Sequence, residues 1–307
     1  MNASASGKVI LFGEHAVVYG RPALAVPVTQ VHADVDVLDS PRPGVWVNAP
    51  GIQLNAELNA LPADHPIGQA ILKLFQHCGI LQLPNLEINI ESTIPVASGL
   101  GSGAAVSVAL IRALSSFISC PLSNDEINTL VYEIEKIHHG TPSGIDNTVI
   151  TYAMPVYFMK GRPIETFKAG KPFTVVIGNT GVPAPTKESV ADLRRLWLKD
   201  TTTYEDFFNE IAQIALIARR SIESGKPELL GDLMDHNHSL LQEMTISSPE
   251  LDTLVNAARA AGALGAKLSG SGRGGNMIAL VEQAKAESVA AALISAGAKQ
   301  TIITEIG

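Results

Sequence analysis

The chain has 307 residues, of which 46% are hydrophobic and 17% charged, a composition that excludes intrinsic disorder. Its net charge of −8 comes without a run of Lys and Arg, which argues against nucleic acid as a partner. No apolar stretch reaches the ~20 residues of a membrane span, and no signal-peptide segment follows Met1. We therefore expect a cytoplasmic protein that binds no membrane, with about two domains for its length.

The chain has two cysteines, Cys78 and Cys120. Two are too few for a disulfide framework or for a four-ligand zinc site. We therefore expect a reducing compartment, with both side chains in the core.

The first half of the chain alternates between strand and helix patterns. Apolar and polar residues alternate over 31–37 and again over 86–90, which is typical of half-buried strands. Helical spacing follows over 101–114. A second helix is predicted behind Ser123, with Glu126 as the partner in a capping box.

The second half begins after a stretch rich in proline and glycine over 142–172. We place a domain boundary there, which gives domains 1–168 and 169–307. Beyond it the apolar spacing predicts, in order, a strand at 173–177, helices at 204–222, 226–244 and 250–261, a strand at 276–281, a helix at 284–296 and a strand at 300–304. This order of elements predicts an α+β fold in two parts.

A glycine-rich segment over 95–105 lies between a predicted strand and an amphipathic helix. Backbone N–H groups at a helix start bind phosphate without side-chain cations, and glycines let the backbone approach closely. Gly99, Gly101 and Gly103, interleaved with Ser102, favour a phosphate-binding loop over an ordinary strand-to-helix turn. The segment is not a Walker A loop, because no Gly-Lys-Ser/Thr closes it.

Two further segments carry glycine beside polar residues. Residues 270–275 formally contain G-x-G-x-x-G, but a strand rather than a helix follows them, so a dinucleotide site is excluded. A ligand-facing glycine loop and a plain hairpin remain as alternatives. In the third segment, Lys8 precedes the short apolar strand 9–12, and Glu14 and His15 follow it. Alone, Lys8 would be a solvated lysine and His15 a structural histidine.

In order along the chain, segments 7–20, 95–105 and 267–275 resemble the three motifs of the GHMP kinases, the superfamily of galactokinase, homoserine kinase, mevalonate kinase and phosphomevalonate kinase. Segment 135–147 resembles the mevalonate kinase branch. The resemblance implies an N-terminal domain like domain 2 of ribosomal protein S5, a ferredoxin-like C-terminal domain and a site between them. It also implies ATP and Mg²⁺ as cofactors, direct in-line phosphorylation of the 5-hydroxyl of mevalonate, and a homodimer.

The same resemblance implies residue roles. Asp146 matches the catalytic base, and Lys8 matches the cation that keeps it ionised. Ser102 and Glu135 match magnesium ligands. The ATP-binding residues implied are Pro95, Ala97, Ser98, Gly99, Leu100, Gly101, Ser102, Gly103 and Ala104. The acceptor-binding residues implied are Lys8, Glu14, His15, Asp146, Thr186, Gly270 and Ser271. Thr186 also fits an N-cap, and one residue could do both.

Two positions depart from the family pattern, and rival functions follow. Ala184 stands where many relatives carry a basic residue, and Arg273 stands where small residues are usual, so it faces either phosphate or solvent. Another GHMP kinase for phosphomevalonate, homoserine or a sugar is the main alternative. A phosphorylated acceptor would call for more basic residues than Ala184 supplies. A related ATP-dependent decarboxylase is disfavoured because Lys8 and the segment 135–146 are both present. A regulator without turnover is disfavoured because Lys8 and Asp146 are both kept.

Overall fold

The computed structural model describes residues 1–95, 98–139, 142–163, 165–184 and 186–307, with side-chain detail outside 138–139 and 186–187. Contacts divide the chain into two compact units. The first comprises Met1–Gly7, Val31–Val96 and Gly101–Ala153, and the second comprises Lys8–Gln30, Ala97–Leu100 and Met154–Gly307. Because both units are assembled from separated parts of the chain, the predicted division after residue 168 stays a prediction.

The first unit packs helices against a sheet. Its strands are β1 (Asn2–Phe12) and β2 (Ala23–Asp39), which both continue into the second unit, β3 (Val45–Ala49), β4 (Leu54–Glu57) and β5 (Leu86–Ser92). The order is β4-β3-β5-β2, with β3 parallel to β5 and the other pairs antiparallel. Its helices are α1 (Pro66–His77), α2 (Ser102–Phe117), α3 (Asn124–His139) and α4 (Ile145–Tyr152).

Local sequence explains these elements. The apolar residues of 31–37 are buried in β2 while the polar ones between them are not, as the alternation predicts. The capping box of α3 is formed: the Ser123 N–H donates to Glu126 Oε2 at 2.8 Å, and the Glu126 N–H donates to Ser123 Oγ at 3.3 Å. This reciprocal pair satisfies two backbone donors and fixes where α3 begins.

The second unit is centred on a four-stranded antiparallel sheet of order β11-β8-β10-β9. Its elements after β2 are β6 (Val156–Phe158), β7 (Glu165–Thr166), β8 (Phe173–Asn179), α5 (Thr186–Lys199), α6 (Thr201–Glu223), α7 (Leu230–Glu243), α8 (Pro249–Ala260), β9 (Gly265–Ser269), β10 (Asn276–Val281), α9 (Ala286–Ser295) and β11 (Gln300–Ile306). The strand predicted after the glycine loop is β10, which confirms that the loop opens no helix. In the part of the chain that is described, no helix has the length and apolar character of a membrane span.

The two cysteines are a correction to the sequence-based expectation. Cys78 and Cys120 form a disulfide, and both residues are half-buried rather than in the core. The bond is possible because α1 and α2 pack together and Cys78 and Cys120 follow their C-terminal ends. Spacing alone could not show this proximity, since the two residues are separated by 42 positions.

Candidate active site

A tight turn follows β1 in the second unit and carries Glu14 and His15. Gly13 has a φ of +96°, and a Cβ added there would lie 2.4 Å from the Ala23 Cα, so only glycine fits. His15 itself has a φ of 60°, which is uncommon outside glycine. The turn places both polar side chains in the protein interior.

The Glu14 carboxylate is paired with a lysine that the sequence analysis did not single out. Lys267 Nζ donates to Glu14 Oε1 and, at 2.6 Å, to the Leu268 carbonyl. Burial raises the pKa of Glu14, the Lys267 ammonium opposes that shift, and burial lowers the pKa of Lys267. Glu14 Oε2 is buried, and no described residue hydrogen-bonds to it.

His15 presents a second acceptor. Its Nε2 lies 3.1 Å from the Ser271 carbonyl oxygen. Because a carbonyl only accepts, Nε2 carries the proton and Nδ1 carries a lone pair. Burial lowers the pKa of His15 to about 4, so the ring is neutral at pH 7. Nδ1 is buried and has no hydrogen-bond partner within the described ranges.

Lys8 holds the segment that precedes α2. Its Nζ donates to the Gly99 carbonyl at 3.1 Å, and its backbone N–H donates to the Leu100 carbonyl at 3.0 Å. Asn276 Nδ2 donates to the Ser98 carbonyl at 2.5 Å from the start of β10. Lys8 is buried, so it is not the solvated lysine that its position alone would suggest.

The start of α2 fits a phosphate group. Gly101 is the N-cap, has a φ of 77° and has no side chain to accept the first N–H groups of the helix. Such uncapped N–H groups are donors for an anion. Ser102 is half-buried, Gly103 is exposed and Ala104 is buried there. Pro95 is half-buried, whereas the predicted ATP-binding residue Ala97 lies outside the described residues.

Glu135 provides a carboxylate near this helix start, within the first unit. The residue is 8% exposed, and its Oε1 lies 3.8 Å from where a Gly103 Cβ would stand, one residue after Ser102. A carboxylate and a hydroxyl are oxygen donors that suit Mg²⁺, which keeps several waters and needs few protein ligands. The described residues contain no group of three or more His, Cys, Asp or Glu that could hold a metal. The chemistry of Ser102 and Glu135 is compatible with Mg²⁺, and their role as its ligands stays a prediction.

Asp146 lies in the first turn of α4, which is fixed by its neighbours. Asn147 Nδ2 donates to Asn128 Oδ1 on α3 at 2.6 Å, and Thr148 Oγ1 donates to the Gly144 carbonyl at 2.7 Å. These contacts hold the turn that carries the half-buried Asp146. A carboxylate in the first turn also interacts favourably with the positive end of the helix dipole.

The structure brings only some predicted site residues together. Glu14, His15 and Ser271 belong to one cluster of the second unit, and Gly270 precedes Ser271 with a φ of 95°. Lys8 and Asp146 belong to different units, so their pairing stays a prediction. The Thr186 side chain lies outside the described part of the chain, so its predicted contact with the acceptor also stays a prediction.

Two residues outside the predicted set shape the site, and Arg273 has a partner that the sequence did not suggest. Arg273 binds Asp192 on α5, so its guanidinium is committed to a carboxylate. Lys267 and Asn276 contact Glu14 and the Ser98 carbonyl. Lys267 belongs to the third motif, but no strand was predicted over 265–269 and nothing in the sequence indicates that this lysine is buried and paired.

Comparison with known proteins gives the family. Residues 65–154 match the GHMP kinases N terminal domain, and residues 218–299 match the GHMP kinases C terminal domain. The chain belongs to the GHMP kinase family. The predicted family and the two-domain GHMP kinase fold are therefore confirmed, including the ATP-dependent kinase class.

Two curated relatives of this GHMP kinase are mevalonate kinases. Mevalonate kinase of Thermococcus gammatolerans is 35% identical over 331 aligned positions, covering 99% of this chain and 95% of the relative. Mevalonate kinase of Pyrococcus furiosus is 34% identical, with coverages of 99% and 95%. These relatives confirm the predicted mevalonate kinase branch.

Solved structures of mevalonate kinases are also similar to this chain. L. major mevalonate kinase in complex with R-mevalonate has a TM-score of 0.87 at 28% identity and covers 100% of this chain and 95% of its own. Methanococcus jannaschii mevalonate kinase has a TM-score of 0.85 at 27% identity, with coverages of 99% and 97%. A Streptococcus pneumoniae phosphomevalonate kinase, with a TM-score of 0.84 but 17% identity, shows the shared fold alone.

Proposed function

We propose that this chain transfers the terminal phosphoryl group of MgATP to the 5-hydroxyl of mevalonate. The observation that carries the proposal is similarity along 99% of the chain, at 35% identity, to a mevalonate kinase. The phosphate-binding start of α2 and the buried acceptor atoms of Glu14 and His15 support it independently.

In this reaction the hydroxyl oxygen bonds to the terminal phosphorus of ATP and loses its proton, while the bond from that phosphorus to the bridging oxygen breaks and ADP leaves. Asp146 accepts that proton, and Lys8 stabilises the charge that develops. The uncapped N–H groups of α2 bind phosphate oxygens. Ser102 and Glu135 would hold Mg²⁺, which supplies neutralisation of phosphate charge when bound. Transfer is direct, with no phosphoenzyme, because positioning and electrostatics supply most of the catalysis in phosphoryl transfer.

The acceptor side suits a molecule with hydroxyl donors. Glu14 Oε2 and His15 Nδ1 both accept hydrogen bonds, and neither has a partner among the residues described. Mevalonate carries two hydroxyl groups that donate. A phosphorylated acceptor would require additional cations, and Ala184 places none beside the glycine loop, where Ser271 Oγ donates to the Ala184 carbonyl at 3.3 Å. This observation favours mevalonate over phosphomevalonate.

The test is a coupled ADP-release assay with MgATP against mevalonate, phosphomevalonate, homoserine and galactose in parallel, with mass spectrometry of the product. Selective formation of a mevalonate monophosphate supports the proposal. Turnover of another acceptor alone would leave the family assignment intact and overturn the choice of substrate. No turnover with any acceptor would point to a nucleotide-binding regulator.

The assembly and cellular location of this kinase are further parts of the proposal. A homodimer follows from the family resemblance, and light scattering on the purified chain tests it. Cytoplasmic placement also remains a prediction. The Cys78–Cys120 bond removes the argument from cysteine usage, because structural disulfides are uncommon in reducing compartments.

A further inference from the structure

Lys267 is a buried cation that the reaction described above does not use. It lies in the middle of β9, opposite Ile278 of β10, and is 0% exposed. Removing an ammonium from water costs several kcal/mol unless the group is paired and hydrogen-bonded. A buried lysine at this position therefore indicates a role other than packing within the strand.

The contacts of Lys267 show where that charge is used. Its Nζ donates to Glu14 Oε1 and to the Leu268 carbonyl, so the ammonium is tied to β9 on one side and to the Glu14 turn on the other. Glu14 consequently has one oxygen held and one oxygen, Oε2, buried without a described partner. The pair fixes the orientation of the carboxylate and leaves one acceptor atom available.

A purely structural role explains this arrangement less well. A buried ion pair generally adds little stability compared with apolar side chains of similar volume. Full satisfaction of both oxygens would also be expected of a structural pair, because an unpartnered buried acceptor destabilises the folded state. The next residue, His15, likewise has a buried Nδ1 for which the described residues provide no donor. Two adjacent residues thus reserve an acceptor atom each.

We propose that Lys267 is a positioning residue for the acceptor: its hydrogen bond to Oε1 orients the Glu14 carboxylate so that Oε2 accepts a hydrogen bond from a substrate hydroxyl. The inference rests on the proposed function. Lys267 does not touch the substrate itself. It acts through Glu14, because a protonated Glu14 would donate with one oxygen and lose its fixed orientation.

Replacing Lys267 by methionine tests the role. In Lys267→Met, Glu14 stays buried and loses its hydrogen-bonded cation, which leaves the weaker effect of the Lys8 charge, so its carboxyl group takes up a proton more readily. We expect the KM for mevalonate to rise at least about tenfold, the size of effect that follows loss of one partner of a buried pair. The KM for ATP should change less than twofold. Raising the pH should lower the mevalonate KM of the variant by re-ionising Glu14, while that of the wild type changes little.

Arg259→Met is the matched control. Arg259 Nη2 donates to the Ala266 carbonyl on the same strand at 3.0 Å, and the side chain pairs with Asp235, so its loss disturbs β9 without touching Glu14. We expect its mevalonate KM to remain within twofold of the wild type. An equal rise in Arg259→Met and Lys267→Met would assign Lys267 a general structural role and overturn the proposal.

Further results with the Lys267 variants also test the proposal. A Lys267→Met enzyme with an unchanged mevalonate KM, or with a raised KM that does not depend on pH, contradicts the proposal. If that variant does not fold, the double variant Glu14→Gln with Lys267→Met removes both charges of the buried pair. It should show a raised mevalonate KM at every pH, and an unchanged KM would contradict the proposal. Failure of the wild type to phosphorylate mevalonate would instead overturn the proposed function.

Discussion

Two glutamates on helix α3 differ in how far their side chains are buried. On α3, Glu133 pairs with Lys136, and its side chain is 42% exposed. Glu135, two positions later, is 8% exposed and faces the start of α2 near Gly103. A surface ion pair contributes little, whereas a buried carboxylate beside the start of α2 is suited to the proposed role of magnesium ligand. The two residues therefore provide a matched test of the metal site.

Glu135→Gln should weaken magnesium dependence. The amide retains an oxygen but lacks the charge that binds a divalent ion, so the magnesium concentration for half-maximal turnover should rise about tenfold or more. Glu133→Gln should leave that concentration unchanged. A magnesium titration of turnover at saturating mevalonate measures both. The same titration midpoint in Glu135→Gln and the wild type would assign the ligand role to another residue.

Asp146→Asn should lower turnover while MgATP binding stays nearly intact. The amide cannot accept the proton of the attacking hydroxyl, and loss of a general base typically costs 10²–10⁴-fold. Single-turnover kinetics and nucleotide titration separate the two effects. Asp125→Asn is the control, since Asp125 bonds the Tyr152 hydroxyl at the other end of α4 without a proposed catalytic role. Unimpaired turnover in Asp146→Asn would remove it from catalysis.

For single residues, the sequence predicts those that belong to a motif. It misses contacts between residues that are far apart along the chain. Lys8, Glu14 and His15 could be named from the pattern around β1. Lys267 could not, because Glu14 is 253 positions away and strand alternation gives no sign that a lysine is buried and paired. Asn276 was read as the start of a strand, and its bond to the Ser98 carbonyl spans 178 positions.

The spacing of apolar residues predicts the helices and the buried strands. The extent of the other strands depends on their pairing with a neighbouring strand. The helices α2 and α3 and the strands β8 and β10 lie where the sequence predicts them. The first strand is longer than its four apolar residues indicate, because β1 pairs with β2 and extends over Asn2–Phe12. Backbone hydrogen bonding to a neighbour can order polar residues that periodicity alone does not identify.

The disulfide between the ends of α1 and α2 should stabilise the first unit. Closing a loop of 42 residues restricts the unfolded chain, and chain-entropy arguments give a contribution of about 2–4 kcal/mol. The double variant Cys78→Ser, Cys120→Ser should therefore unfold at lower denaturant concentration. The wild type in dithiothreitol should behave like the variant, whereas dithiothreitol should not change the variant itself. Equal unfolding midpoints for oxidised wild type and variant would contradict this prediction.

The free energy of unfolding of the whole protein should depend on pH, because two histidines are buried. Burial lowers the pKa of His15 and that of His238 to about 4, against an ordinary value of 6.5. Protons therefore bind the unfolded chain more readily, so the stabilisation is fully present above pH 6.5 and is lost as pH falls towards 4. Each group contributes up to about 3 kcal/mol to this change.

His238→Gln should make that pH dependence shallower. His238 Nδ1 accepts from the Leu268 N–H at 3.3 Å, and a glutamine oxygen can replace that acceptor without titrating. Denaturant unfolding at pH 7.5 and pH 4.5 measures the loss of stability on acidification for each protein, so other titrating groups cancel in the comparison. An equal loss in the variant and the wild type would show that His238 does not take up the proton.

The interleaved units have a consequence for synthesis. Residues 8–30 end up against strands from the last third of the chain: Ser269 Oγ donates to the Ile10 carbonyl across 259 positions, and Lys267 reaches back to Glu14. During synthesis, the apolar end of β1 can pack against β9 and β10 only after both strands have left the ribosome. Contacts between such distant parts of the chain slow folding, so the second unit can complete its folding only after its last strands are made.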